Sequence, residues 1–99
     1  MTDEEVARLA DVREVGAAAA DRNARRPPDI DADPLGRIAW ATASVGENHP
    51  ATIDAVRAAQ PRYTWREIGV ALGEDLADPS MPGRVQRRFA KRFAKIDGL

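Results

Sequence analysis

The sequence lacks cysteine and contains a single histidine, and each shortage excludes a class of chemistry. Without cysteine there are no disulfides, no thiolate metal ligands and no cysteine nucleophile. One histidine cannot build an all-histidine metal cage. No apolar run approaches the ~18 residues of a membrane span, and residues 1–5, Met-Thr-Asp-Glu-Glu, are acidic where a signal peptide would be basic. We therefore expect a cytoplasmic protein without membrane, metal or cofactor.

Aromatic residues are also scarce, at five of 99 positions, so the core must consist mainly of Ala, Val, Leu and Ile. A chain of this length corresponds to one domain, or to one small domain with a tail. Proline and glycine punctuate each expected boundary, and no stretch alternates with the period of two that marks a strand. The sequence predicts an all-α fold, a small helical bundle of about five helices with a C-terminal helix-turn-helix.

Residues 1–26 are expected to form one acidic helix that reaches about Ala24. A capping box at Thr2 and Glu5 begins this helix, and two consecutive prolines end it. The helix is expected either to cover the core or to pair with a second copy of the chain. Residues 27–33 follow as a polar linker.

Residues 34–99 are expected to hold the remaining helices in one helix-turn-helix domain. Asp33 and Ser80 are candidate N-caps, and Gly73 is a candidate left-handed C-cap. The expected helices cover about 34–45, 50–60, 64–72 and 80–96. In the last helix an apolar stripe recurs at helical spacing and must pack on the domain; its members are Val85, Phe89, Phe93 and Ile96.

The net charge of −1 conceals a division between the two halves of the chain. Residues 1–49 carry ten acids and six bases, whereas residues 50–99 carry six acids and nine bases. Six bases and no acid fall within residues 84–95. Such a division indicates a polyanionic partner, although a basic helix face is often only solvated surface.

The order of the last three helices fits a helix-turn-helix, in which a recognition helix enters the major groove of DNA. A recognition helix needs an apolar stripe to dock on its domain and a cationic outer face, and the last helix has both. Arg can fork onto guanine and Gln onto adenine. The candidate base-reading residues are Arg84, Gln86, Arg87 and Arg88. The candidate phosphate contacts are Lys91, Arg92 and Lys95. Arg62, in the turn before the fourth helix, and Arg66, within that helix, are further candidate DNA contacts.

Residues 58–73 read Ala-Ala-Gln-Pro-Arg-Tyr-Thr-Trp-Arg-Glu-Ile-Gly-Val-Ala-Leu-Gly. This segment resembles the helix-turn-helix segment common in actinobacterial DNA-binding proteins and is similar to the final region of sigma factors. That family pairs a Trp-x-Glu-Ile-Gly-x-x-Leu-Gly stretch with a helix ending in Arg-Phe, which Arg88 and Phe89 match. The resemblance covers about residues 50–96. It implies that Ile68, Leu72 and Phe89 are core residues, that Gly69 allows close helix packing, and that residues before Arg88 face DNA.

One feature departs from that family. The connection Glu74–Pro79 is longer than the usual turn of about three to four residues, and it is acidic. We expect it either to reposition the last helix or to point away from DNA.

The leading hypothesis is a small sequence-specific DNA-binding protein, a transcriptional regulator that reads the major groove with its C-terminal basic helix. Its small recognition surface implies a homodimer or a partner from the transcription machinery. The alternative is a protein–protein interaction module that uses a helix-turn-helix-like fold without DNA. An enzyme is not expected, because the sequence has no glycine-rich phosphate loop, no nucleophile with a base beside it and no credible metal set.

Overall fold

The computed structural model describes residues 2–21, 25–60 and 62–98. Within these ranges the chain forms five α-helices, one short 3-10 turn and no strand, which confirms the all-α prediction. The helices are α1 (Asp3–Ala19), α2 (Pro34–Val45), α3 (Pro50–Ala59), α4 (Trp65–Ala71) and α5 (Met81–Ile96), with the 3-10 turn at Ile30–Ala32. None of these helices is long and apolar enough to cross a lipid bilayer.

Local capping signals start and stop most of these helices as the sequence predicts. The Thr2 hydroxyl accepts the Glu5 backbone N–H at the start of α1. Thr64 and Glu67 cap α4 reciprocally, and Gly73 adopts a φ of +92° after α4. At the start of α2 the Asp33 carboxylate accepts the N–H of Gly36. These caps satisfy backbone donors that have no partner inside a helix.

Ser80 occupies the N-cap position of α5, as expected, and its carbonyl accepts the Arg84 N–H. Its side chain makes no capping hydrogen bond, and its backbone angles are helical rather than the usual extended ones. Its hydroxyl instead donates to Asp78 Oδ1 at 2.8 Å. The connection before α5 is thus organised around an aspartate rather than around the serine.

The first helix also ends earlier than expected, at Ala19 rather than near Ala24. Ala17 and Ala18 are exposed, so the end of the helix presents no large side chain to the core. Helix length in proteins depends mainly on such packing. Residues 22–24, which include the expected end of the helix, lie outside the described residues, as does Pro61, the expected stop of the third helix.

A single core holds the five helices together. α1 packs on α2 and α4, α2 also packs on α3 and α4, and α5 packs on α4 and α3. Leu9 and Val12 bring α1 into this core, and Val85 and Phe89 bring α5 into it. The acidic N-terminal helix therefore covers the same core that supports the basic C-terminal helix.

Two residues depart from the expected apolar pattern. Ile96, at the end of the expected stripe, is 52% exposed, because it borders an open groove beside Asn48 and Pro50 rather than a closed interface. Ile30, in the segment expected to be a polar linker, is buried. A Cβ atom added at Gly36 would lie 3.1 Å from Ile30 Cδ1, so the glycine leaves the space on α2 against which this isoleucine packs.

Candidate nucleic-acid interface

The candidate interface is the cationic side of α5, and the core determines where that side lies. Met81, Val85 and Phe89 are each fully buried, which fixes the rotation of the helix. Met81 packs on Gly69 of α4, where an added Cβ would meet the Met81 side chain. The close helix packing expected at Gly69 is therefore present, and it places the first turn of α5 against α4.

Six cations occupy the remaining surface of α5 in two rows of four-residue spacing, and residues at this spacing share one helix face. We call Arg84, Arg88 and Arg92 the inner row, because they lie next to the buried face. We call Arg87, Lys91 and Lys95 the outer row. The two rows have the same length and the same formal charge.

Arg84 of the inner row is held by two carboxylates of the connection between α4 and α5. Its Nη1 atom donates to Asp78 Oδ2 at 2.8 Å, and its Nη2 atom donates to Glu74 Oε2 at 3.0 Å. Asp78 in turn accepts the backbone N–H and the hydroxyl of Ser80. The acidic connection, expected either to move the last helix or to point away from DNA, therefore directs two carboxylates onto the first turn of α5.

Arg88 and Arg92 continue the inner row with further carboxylate partners. Arg88 Nη2 donates to the second oxygen of Glu74 at 3.0 Å. Glu47, in the turn between α2 and α3, lies 2.6 Å from Arg88 Nε and accepts from Arg92 Nη1 at 3.1 Å. Arg88 Nε makes no hydrogen bond, so its N–H is not directed at the nearby oxygen. The inner row is thus a chain of shared ion pairs.

The surroundings of Glu74 and Asp78 favour the ionised form of both side chains. Burial alone raises the pKa of the Glu74 carboxyl, but hydrogen bonds from Arg88 and Arg84 outweigh burial and lower that pKa overall. Hydrogen bonds from Arg84 and Ser80 lower the pKa of Asp78 to about 2. Hydrogen bonds to Asp78 and Glu74 raise the pKa of Arg84. Near neutral pH these groups are therefore fully charged.

The outer row has a different environment. Arg87, Lys91 and Lys95 are exposed, and within the part of the chain that the structure describes none of them forms an ion pair. Three carboxylates thus face the inner row, and three cations of the outer row are left to interact with a partner.

The other candidate contacts lie apart from these two rows. Gln86 is exposed, but a helix turns about 100° per residue, so Gln86 projects about 160° away from Arg84. The structure therefore does not bring Gln86 onto one face with the inner row. Arg66 is exposed near Pro82, at the start of α5, and the Arg62 guanidinium lies 5.7 Å from the ring centre of Tyr63.

The residues that sequence reasoning missed are the three acidic partners Glu47, Glu74 and Asp78. The acidity of the α4–α5 connection was visible in the sequence, but its direction was not. The sequence did not indicate that Glu47 contacts the last helix, because Glu47 lies 45 residues before Arg92. Within residues 2–21, 25–60 and 62–98, no group of three His, Asp or Glu side chains could hold a metal ion.

No protein-family model, curated protein or solved structure matches this chain. The resemblance to actinobacterial helix-turn-helix proteins therefore stays a prediction, and the site is interpreted from its own residues.

Proposed function

We propose that the chain binds double-stranded DNA, with α5 in the major groove, and acts as a sequence-specific transcriptional regulator. The observation that carries this proposal is the outer row, three exposed cations on one helix face without a carboxylate partner among the described residues. A row of this kind neutralises phosphates and releases their counterions, which is the main source of affinity for DNA.

The length of the outer row suits this role. Arg87 and Lys95 are eight residues apart, which corresponds to about 12 Å along a helix axis. A recognition helix contacts base edges with its N-terminal residues. In this arrangement Arg87 is the outer-row residue nearest to the bases, and Lys91 and Lys95, one and two turns further on, contact phosphates.

A single helix presents a small recognition surface, and proteins of this kind usually add a second half-site or a protein partner. We propose that the chain binds DNA as a homodimer or together with a component of the transcription machinery. The acidic N-terminal helix α1, whose Val6 is 48% exposed, is the candidate surface for that contact.

The test is a titration of labelled duplex DNA at several salt concentrations. Lys91→Gln and Lys95→Gln are each expected to reduce the slope of log K against log salt by about 0.9, as for one phosphate contact, whereas Arg87→Gln should weaken binding most to the preferred DNA sequence. Arg25→Gln is the matched control, since it removes the same charge from an exposed position outside α1 and α5 and should leave the slope unchanged. Unaltered binding by the triple outer-row variant would contradict the proposal.

The second candidate function is a protein–protein interaction module that does not bind DNA. The ion pairs of the inner row favour it, because Glu47, Glu74 and Asp78 place negative charge beside the surface that phosphates would approach. Chromatography on DNA-cellulose at low salt separates the two functions. Retention that depends on the outer row supports DNA binding, whereas passage without retention supports the protein–protein module.

A further inference from the structure

We propose that Glu47, Glu74 and Asp78 are internal competitors of nucleic-acid phosphate. They occupy the inner row in the free protein, and the phosphodiester backbone displaces them when DNA binds, so that Arg84, Arg88 and Arg92 become additional phosphate contacts. This inference rests on the proposed function, since it concerns regulation of the same helix face.

Neighbouring ion pairs of the inner row share their carboxylate partners. Glu74 bridges Arg84 and Arg88 through its two oxygens, at 3.0 Å in each case. Glu47 bridges Arg88 and Arg92 through one oxygen, Oε1, which lies 2.6 Å from Arg88 Nε and 3.1 Å from Arg92 Nη1. Because neighbouring pairs share partners, displacement of Glu74 or Glu47 removes one partner from each of two arginines, and the inner row can respond as a unit.

The ion pair at the first turn of α5 is accessible from solvent. The Arg84 side chain is 42% exposed and that of Asp78 is 31% exposed, so a phosphate can approach the first turn of α5 from solvent. Arg84 precedes Arg87 of the outer row by three residues, which places the two side chains next to each other on the helix surface. A DNA strand that contacts the outer row therefore lies within reach of the inner row.

A phosphate group can take the place of a carboxylate group on an arginine side chain. Guanidinium binds carboxylate and phosphate with the same forked geometry, so a phosphate can replace each carboxylate without loss of hydrogen bonds. The Arg88 side chain is 27% exposed, but its Nε atom is buried beside Glu47, so a phosphate reaches this part of the guanidinium only once Glu47 has moved away.

The three carboxylates lie in connections between helices. Glu47 lies in the turn between α2 and α3, and Glu74 and Asp78 lie in the connection between α4 and α5. None of them belongs to a helix, so their side chains can leave α5 without the loss of a helical turn. Because both Glu74 and Asp78 have lowered pKa values, they are released by a competing anion rather than by protonation near neutral pH.

The experiment compares two adjacent acids of the same connection in a DNA titration. Glu74→Gln removes one of the two carboxylate partners of Arg84 and of Arg88, and it should increase the affinity for duplex DNA at least about fourfold, with about twofold or more for each arginine. Asp75→Asn removes the same charge one position away. Asp75 accepts the Ala77 N–H and forms no ion pair with an arginine of the described residues, so this variant should change the affinity less than about twofold.

A second variant reports whether the inner row contacts DNA at all. Arg84→Gln should reduce the salt slope of wild-type binding by about 0.9, as expected for one phosphate contact. If the carboxylates stay in place during binding, Arg84→Gln leaves the slope unchanged. Circular dichroism confirms that each variant folds, and Asp78→Asn, which removes one of the two partners of Arg84 and none of Arg88, replaces Glu74→Gln if the latter does not fold.

The outcomes separate this inference from the proposed function. The inference is overturned if Glu74→Gln behaves like Asp75→Asn and Arg84→Gln keeps the wild-type slope, even where outer-row variants weaken binding. Stronger binding by Glu74→Gln with no effect of Arg87→Gln supports the inference and contradicts the outer-row assignment. If neither the wild type nor Glu74→Gln binds DNA, both proposals fall.

Discussion

The inner and outer rows of α5 have the same spacing and formal charge, yet their surroundings in the folded chain differ. Arg84, Arg88 and Arg92 are each bound by the protein's own carboxylates, whereas Arg87, Lys91 and Lys95 point to solvent. The two rows differ in their rotation about the helix axis, in an offset of three residues along it, and in the two lysines of the outer row. The inner row lies beside the core, where two connections can reach it, so the position of a charge around a helix matters more than its presence in the sequence.

The same comparison changes how the charge of the C-terminal helix is interpreted. Six cations within residues 84–95 suggest a strong field, but three carboxylates of the fold compensate half of it. The cations of α5 that no carboxylate of the described residues pairs with are therefore those of the outer row. The inner row binds α5 to the α2–α3 turn and to the α4–α5 connection.

The largest effect is expected from Phe89→Ala, because Phe89 supports both rows. Its ring is fully buried and lies 6.4 Å from Trp65 and 6.0 Å from Phe93, centre to centre. Truncation of such a residue leaves a cavity and should lower the free energy of unfolding by about 3–5 kcal/mol. Urea denaturation measures this loss. A loss below about 1 kcal/mol would mean that α5 is not anchored as described.

A smaller effect should separate the two rows directly. Arg88→Met leaves Glu47 and Glu74 without one of their partners and should lower the free energy of unfolding by about 1–2 kcal/mol. Arg87→Met alters an exposed side chain that forms no ion pair with any described residue, so its effect should stay within about 0.5 kcal/mol. Both substitutions retain a long apolar side chain. Equal losses in urea denaturation would show that the two rows do not differ.

Acid should weaken the inner row and leave the outer row unaffected. The pKa of Asp78 is lowered from 3.8 to about 2 in the folded chain, so its contribution to stability is present above pH 3.8 and is lost as the pH falls through about 2. Glu74, whose pKa is also lowered, acts in the same direction. Urea midpoints measured between about pH 5 and pH 2 should fall less for Asp78→Asn than for the wild type. The triple outer-row variant should follow the wild-type profile, and a steeper fall for Asp78→Asn would contradict this assignment.

The sequence predicted the features that depend on near neighbours. The caps at Thr64 and Gly73, and the buried positions of Val85 and Phe89, follow from patterns spanning a few residues, and each is present. The contact between Glu47 and Arg92 could not be predicted in this way, since it joins the α2–α3 turn to α5 and exists only once both have packed. The direction of the acidic connection was equally hidden, because the same sequence could project Glu74 to solvent or onto the helix.

The burial of Ile30 and Ile96 was likewise not predictable from the residues near them in the sequence. Ile30 stands alone in a polar stretch, yet it is buried, and Ile96 continues a regular stripe, yet it is half-exposed. Periodicity assigns a residue to a face of its helix, but it does not say how far the neighbouring element extends along that face.

The smallest effect is therefore expected at the end of α5, where both rows stop. Ile96→Ala removes a side chain that is 52% exposed and should change the free energy of unfolding by less than about 0.5 kcal/mol. Val85→Ala, at a fully buried position of the same stripe, should cost more, since it leaves a cavity in the core. Urea denaturation of the two variants compares the two ends of the stripe. A loss for Ile96→Ala as large as that for Val85→Ala would place the last turn of α5 against a partner surface and Lys95, its neighbour, at the edge of that contact.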